Sequence, residues 1–163
     1  MLTWALMFAS PVLSAPELIG VIANDPDDLD RNVGDGDVIK LLFGPVGQRV
    51  AYSSAQLNKA EIDAIVSFSA TLGDDYVGEW NEEYIGIEQL TVTLVNTTGA
   101  DLAALQDFDF TVSCVPGVLY LVGEQDACTT AEKMPLSASN WGKGRPRLAS
   151  ATLLTDNSSR LLE

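Results

Sequence analysis

The sequence predicts an all-β chain, an antiparallel β-sandwich with one short helix. Three observations predict it. Glu88 to Asn96 alternates cleanly, with Leu90, Val92 and Leu94 on one face and Gln89, Thr91 and Thr93 on the other. That is the pattern of a strand buried on one side. Short apolar runs, Glu17 to Ala23, Val38 to Phe43 and Val118 to Val122, are separated by clusters of Gly, Pro, Asn and Asp. Only one stretch, beginning near Asn58, carries a strong helix signal.

Taken in order, Met1 to Ala15 is apolar and closes on Ser14 and Ala15. It has the length of a signal-peptide core, but no Lys or Arg precedes it and Pro11 interrupts it. Two readings stand, a signal peptide or the last strand of a preceding module. The run is shorter than the roughly 20 residues of a membrane-spanning helix. The folded module is expected over residues 16–155, with 156–163 a polar tail or linker. Glu17 to Ala23 reads as its first strand. Asp25-Pro26-Asp27 is a turn, because Pro fixes φ and Asp side chains cap backbone NH groups. Gly34-Asp35-Gly36-Asp37 is a second turn, leading into the strand Val38 to Phe43, which Gly44-Pro45 ends.

Asn58-Lys59-Ala60-Glu61 has the form of a capping box, with Leu57 and Ile62 placed for a hydrophobic staple. Ile62, Ile65 and Val66 follow at helical spacing, and the helix is expected to end between Ser69 and Gly73. Asp74 to Glu83 is expected to be an exposed acidic loop anchored in the core by Tyr76 and Trp80. Phe108, Phe110 and Val112 alternate towards Cys114, Val118 to Val122 is a continuous apolar run, and Leu148 to Leu154 is the last candidate strand. The basic stretch Gly142 to Arg147 reads as a solvated turn.

Bulk properties narrow the function. The 163 residues suit one domain with a real core. With 23 acidic and 9 basic residues the net charge is -14, which opposes binding to nucleic acid and docking on anionic lipid. Divalent cations, or a self-repelling secreted surface, fit better. Histidine is absent, removing the usual base near neutral pH and the commonest transition-metal ligand. Cys114 and Cys128 make one disulfide in an oxidising compartment or two buried thiols in a reducing one, and are too few for a structural zinc site.

Four groups of residues bear on chemistry. Asp25, Asp27, Asp28, Asp30, Asp35 and Asp37 crowd a turn-rich loop and could supply the oxygens that calcium wants, though their spacing is not that of an EF-hand. The alternative is that Asp25 and Asp27 cap turn NH groups and the others face water. Asp74, Asp75, Glu79, Glu82 and Glu83 would serve a hydrolase only if two faced each other across a cleft. Tyr76, Trp80 and Trp141 would favour a carbohydrate- or ligand-binding surface if they formed an exposed platform. Asn96-Thr97-Thr98 and Asn157-Ser158-Ser159 are glycosylation sequons.

The order Asp25-Pro26-Asp27, a Gly-Asp turn before a strand ending in Phe43, then Phe68-Ser69, Leu72-Gly73, Tyr76, Gly78 and Trp80, and finally Thr98-Gly99-Ala100, resembles repeat modules of large secreted or surface proteins of algae and other protists. In outline these are similar to bacterial Ig-like domains. The resemblance covers about Ser10 to Ala100, with Phe68 to Trp80 its most specific part, and the Cys-bearing segment departs from it. It implies an Ig-like sandwich and carries no catalytic residues. The expected function is therefore an extracellular, non-catalytic structural or adhesive module that pairs with other protein modules, stiffened by calcium at the Asp25–Asp37 loop. The alternatives are a carbohydrate- or ligand-binding sandwich and a secreted carboxylate-dependent hydrolase.

Overall fold

The computed structural model describes residues 15–26, 33–84, 86–106, 110–128 and 134–135. The chain is mainly β, with antiparallel pairing throughout the described strands. The largest sheet has five strands: β1 (Glu17–Asn24), β2 (Val38–Gly44), β4 (Gln56–Leu57), β6 (Asp75–Tyr84) and β7 (Ile87–Asn96). Their order across the sheet is β1-β2-β7-β6-β4. A three-stranded sheet runs β10 (Met134–Pro135), β8 (Thr111–Cys114), β5 (Val66–Phe68), and β3 (Val50–Ala51) pairs with β9 (Tyr120–Leu121).

Register builds the core. Val21 lies opposite Leu41, Leu41 opposite Leu90, and Leu90 opposite Trp80. One step along, Ala23, Ile39 and Val92 form a second row that ends on Gly78. Directly opposed residues share a face, so these rows make one apolar surface. It joins Val66, Val112, Cys114 and Phe110 in one buried cluster that unites the five- and three-stranded sheets. Each fully buried Leu, Ile or Val there contributes about 1.5–3 kcal/mol.

The helix α1 (Lys59–Ile65) begins as its sequence dictates. Asn58 Oδ1 accepts from Glu61 N at 3.1 Å, and Glu61 Oε2 accepts from Asn58 N at 2.8 Å. Its end differs from expectation. The helix stops at Ile65, not between Ser69 and Gly73, because Val66 is extended and starts β5. Val66, Ser67 and Phe68 pair with Cys114, Ser113 and Val112, so a long-range ladder overrides the local helical spacing. Ile62 packs where Gly78 has no side chain: a Cβ on Gly78 would lie 3.0 Å from Ile62 Cδ1.

Three further expectations are corrected. There are two short helices among the described residues, not one, since α2 (Leu102–Gln106) follows the turn after β7. Asp101 caps it, accepting from Ala104 N at 3.1 Å, and Leu105 anchors it in the core. Asp74 to Glu83 is not a loop: β6 occupies Asp75–Tyr84. Of the run Val118 to Val122, only Tyr120–Leu121 is strand, and Val118 and Val122 are exposed. Phe108, Gly142 to Arg147 and Leu148 to Leu154 lie outside the described residues.

Cys114 and Cys128 are bonded to each other, 14 residues apart in sequence, and both are buried. A disulfide of this kind fits an oxidising compartment. No helix among the described residues is long and apolar enough to cross a membrane. At the sheet edge, the Ser54 hydroxyl accepts from Gln56 N at 3.2 Å and donates to Gln56 O at 2.7 Å.

Candidate functional site

The acidic loop is built into the sheet ends. Asp25 directly follows β1 and Asp37 directly precedes β2, and both are buried. Asp37 Oδ2 accepts from Gly34 N at 2.8 Å, closing the turn. That turn is fastened to β7 by Gly36 N to Leu94 O and Leu94 N to Asp37 O, both 2.8 Å. Asp35 Oδ1 accepts from Thr97 N at 2.7 Å and from Thr97 Oγ1 at 2.8 Å. The amide bond first, then the hydroxyl, hold its carboxyl below the usual value. Asp27, Asp28 and Asp30 lie outside the described residues, and among the described residues no three His, Cys, Asp or Glu side chains converge to hold a metal.

The second acidic patch is spread along β6. Tyr76 and Trp80 point inward, buried, while Asp75, Val77 and Glu79, at the alternate positions, are exposed. Asp74 is exposed just before the strand. Tyr76 and Trp80 therefore form no exposed platform, and Trp141 lies outside the described residues. The Tyr76 hydroxyl donates to Asp63, which also meets Lys59 Nζ at 2.7 Å, and the ammonium stands 4.8 Å from the centre of the Tyr76 ring. Burial, then the bond and charge of Asp63, push the Tyr76 phenol well above its ordinary value. The phenol thus stays a donor, and the triad pins α1 against β6 at the rim of a cleft of about 380 Å³.

A second cleft, of about 370 Å³, opens beside Trp80 and is walled by Tyr52, Leu57, Ala64, Ile65 and Leu119, with Glu61 at its rim. Trp80 is 4% exposed and packs on Phe43, ring centres 5.3 Å apart. Tyr52 lies flat on the indole, 5.1 Å between centres and 2° between planes, yet is 41% exposed. The Trp80 Nε1–H is buried and has no acceptor among the described residues. Sequence reasoning did not single out Tyr52; nothing local marks it, since its partner lies on a distant strand.

The outward face of the five-stranded sheet is the third feature. It exposes Ile19, Val77 and Val95 at 42, 43 and 46%. Between them runs a row in which Thr91 of β7 is flanked by Lys40 of β2 and Glu79 of β6. Beside that row, Gln89 Nε2 donates to Asn81 Oδ1 at 2.9 Å and Thr91 Oγ1 at 2.8 Å. At the end of β7, Asn96 is exposed and its Oδ1 accepts from Thr98 N at 3.0 Å, so the first sequon is at the surface. Asn157 lies outside the described residues.

Searched against protein-family models, curated proteins and solved structures, the chain matches none.

Proposed function

We propose that the chain is an Ig-like β-sandwich module of an extracellular assembly, structural or adhesive rather than catalytic, that pairs face to face with modules of its own kind. The outward face of the five-stranded sheet carries this reading. Its exposed Ile19, Val77 and Val95 offer apolar area that folding leaves in water. Its central row is also self-complementary. A two-fold axis along β7 would set Lys40 of one copy over Glu79 of the other, and the reverse, as a symmetric interface requires. The disulfide supports the extracellular part of the reading. The reading extends to calcium as a stiffener of the Asp25–Asp37 loop, supported by the crowding of carboxylates in its sequence.

Sedimentation velocity up to about 1 mM protein, where even a weak pair forms, tests the pairing. The net charge of -14 opposes self-association, so the pair should strengthen as salt rises to about 0.5 M and screens that repulsion. Val77→Lys with Val95→Lys should abolish it without lowering the unfolding midpoint. A wild-type chain that stays monomeric at both salt levels overturns the proposal. For the ion, calcium should raise the unfolding midpoint and Asp27→Asn should remove the effect; a midpoint indifferent to calcium and chelator strikes calcium from the reading.

A further inference from the structure

We propose that the cleft beside Trp80 is a binding site for a flat, uncharged small molecule that carries a hydrogen-bond acceptor. The first observation is the indole itself. Buried donors without acceptors are rare in folded proteins, and each costs free energy that a ligand's acceptor would return. Trp80 Nε1–H is such a donor, on a residue 4% exposed that lines the cleft. The second is the cleft. Its volume, about 370 Å³, falls in the range of small-molecule sites. Its walls are mainly apolar and aromatic, the lining such sites use, with Ser53 and Glu61 the polar exceptions.

The third observation says how a ligand enters. Water does not reach Nε1, so a wall has to move. Tyr52 is the wall suited to it. It is 41% exposed, its flanking Ser53 is exposed, and it comes from the segment between the two-residue strands β3 and β4. Its ring covers one face of the indole, so its displacement opens room beside that ring. The N–H lies in the indole plane, so the ligand's acceptor meets it at the ring's edge, and Tyr52 itself is the aromatic surface left to flank a flat ligand. Charge sets the class. An anion would meet the Glu61 carboxylate, whose Oε2 caps α1, and a chain of net charge -14. The site faces inward from β6 and is independent of the outward sheet face, so the two proposals stand or fall separately.

Quinoline, naphthalene and quinoline-4-carboxylate test it, because the first two share a shape and differ in one acceptor. The readout is the indole NH cross-peak of Trp80 in the ¹⁵N-labelled full chain, assigned by its loss in Trp80→Phe. Quinoline should move that peak downfield along a saturable curve. Naphthalene should bind about fivefold more weakly, the worth of one neutral hydrogen bond, and the carboxylate more weakly still. Tyr52→Ala should change the quinoline affinity at least threefold, by roughly the worth of an aromatic contact, with the fold intact. An indole peak that does not move saturably with quinoline, in the wild type and in Tyr52→Ala alike, overturns the site. Equal binding of quinoline and naphthalene overturns the role of the indole donor.

Discussion

Gly78→Ala is the substitution on which the packing of this fold turns. Gly78 sits in the middle of β6, on the inward face, in the row that begins with Ala23, Ile39 and Val92. A Cβ built there lies 3.0 Å from Ile62 Cδ1, 3.1 Å from Ile62 Cγ1 and 3.1 Å from Leu90 Cδ1. Two of these three atoms belong to Ile62, which is fully buried and joins α1 to the sheet. Overpacking a closed core by a methyl costs about 1–3 kcal/mol. Replacing Gly by Ala returns about 0.4–1 kcal/mol through the unfolded chain. The net expectation lies between neutral and a loss of about 2.6 kcal/mol. Ile62→Val removes the nearest atom, at its own cost of about 0.5–1.5 kcal/mol. The two changes should therefore be less than additive, with at least about 0.5 kcal/mol of coupling in the favourable direction. Urea unfolding of the wild type, both single variants and the double variant measures it. A stabilising Gly78→Ala, or strict additivity with Ile62→Val, would refute the account of how α1 seats on β6.

Further outcomes follow from other contacts. Replacing Cys114 and Cys128 together by Ala should cost about 3 kcal/mol by loop-closure entropy and lower the unfolding midpoint by about 6–12 °C, which differential scanning calorimetry reads. Tyr76→Phe should lose about 1 kcal/mol with its bond to Asp63. Because folding raises the Tyr76 pKa, its contribution is complete below the ordinary value of 10.0 and fades as pH rises above it. The difference between wild type and Tyr76→Phe should therefore shrink in alkaline urea titrations. Asp35 has the opposite sign. Its lowered pKa makes its contribution complete above 3.8 and lost as pH falls below that value. The Thr97 amide should report this by an acid shift in its NMR resonance that disappears in Asp35→Asn.

The parts of the fold that sequence made legible are those where neighbours in the chain decide the outcome. The capping box formed from Asn58 and Glu61 as expected, because its four partners are local. Strands β2 and β7 were legible because Ile39, Leu41, Leu90, Val92 and Leu94 repeat with period two. Strand β6 was hidden by its own packing. Its inward slots hold Tyr76, Gly78 and Trp80, and the middle one is empty so that Ile62 can fill it. With acids at the outward slots, the pattern read as an exposed loop. The end of α1 was hidden because Val66 to Phe68 answer to Val112 to Cys114, far along the chain. At the candidate sites, the sequence placed Asp35 and Asp37 in a turn but set them, beside calcium binding, as acids facing water; both instead accept from backbone amides, and Asp37 is buried. It did not pair Tyr52 with Trp80, since no local rule links the two.

The bond between Ser54 and both backbone groups of Gln56 bears on how such a chain survives at high concentration. A sheet border with free amides and carbonyls invites a foreign strand to add, and repeated addition makes fibrils. Here the β4 border is two residues long. The amide and carbonyl of Gln56 are occupied by one hydroxyl, and Leu57 leads through Asn58 into a helix. That border is a poor template, so crowding presses these molecules together without recruiting them into cross-β growth there. Ser54→Ala removes one oxygen atom and with it that protection.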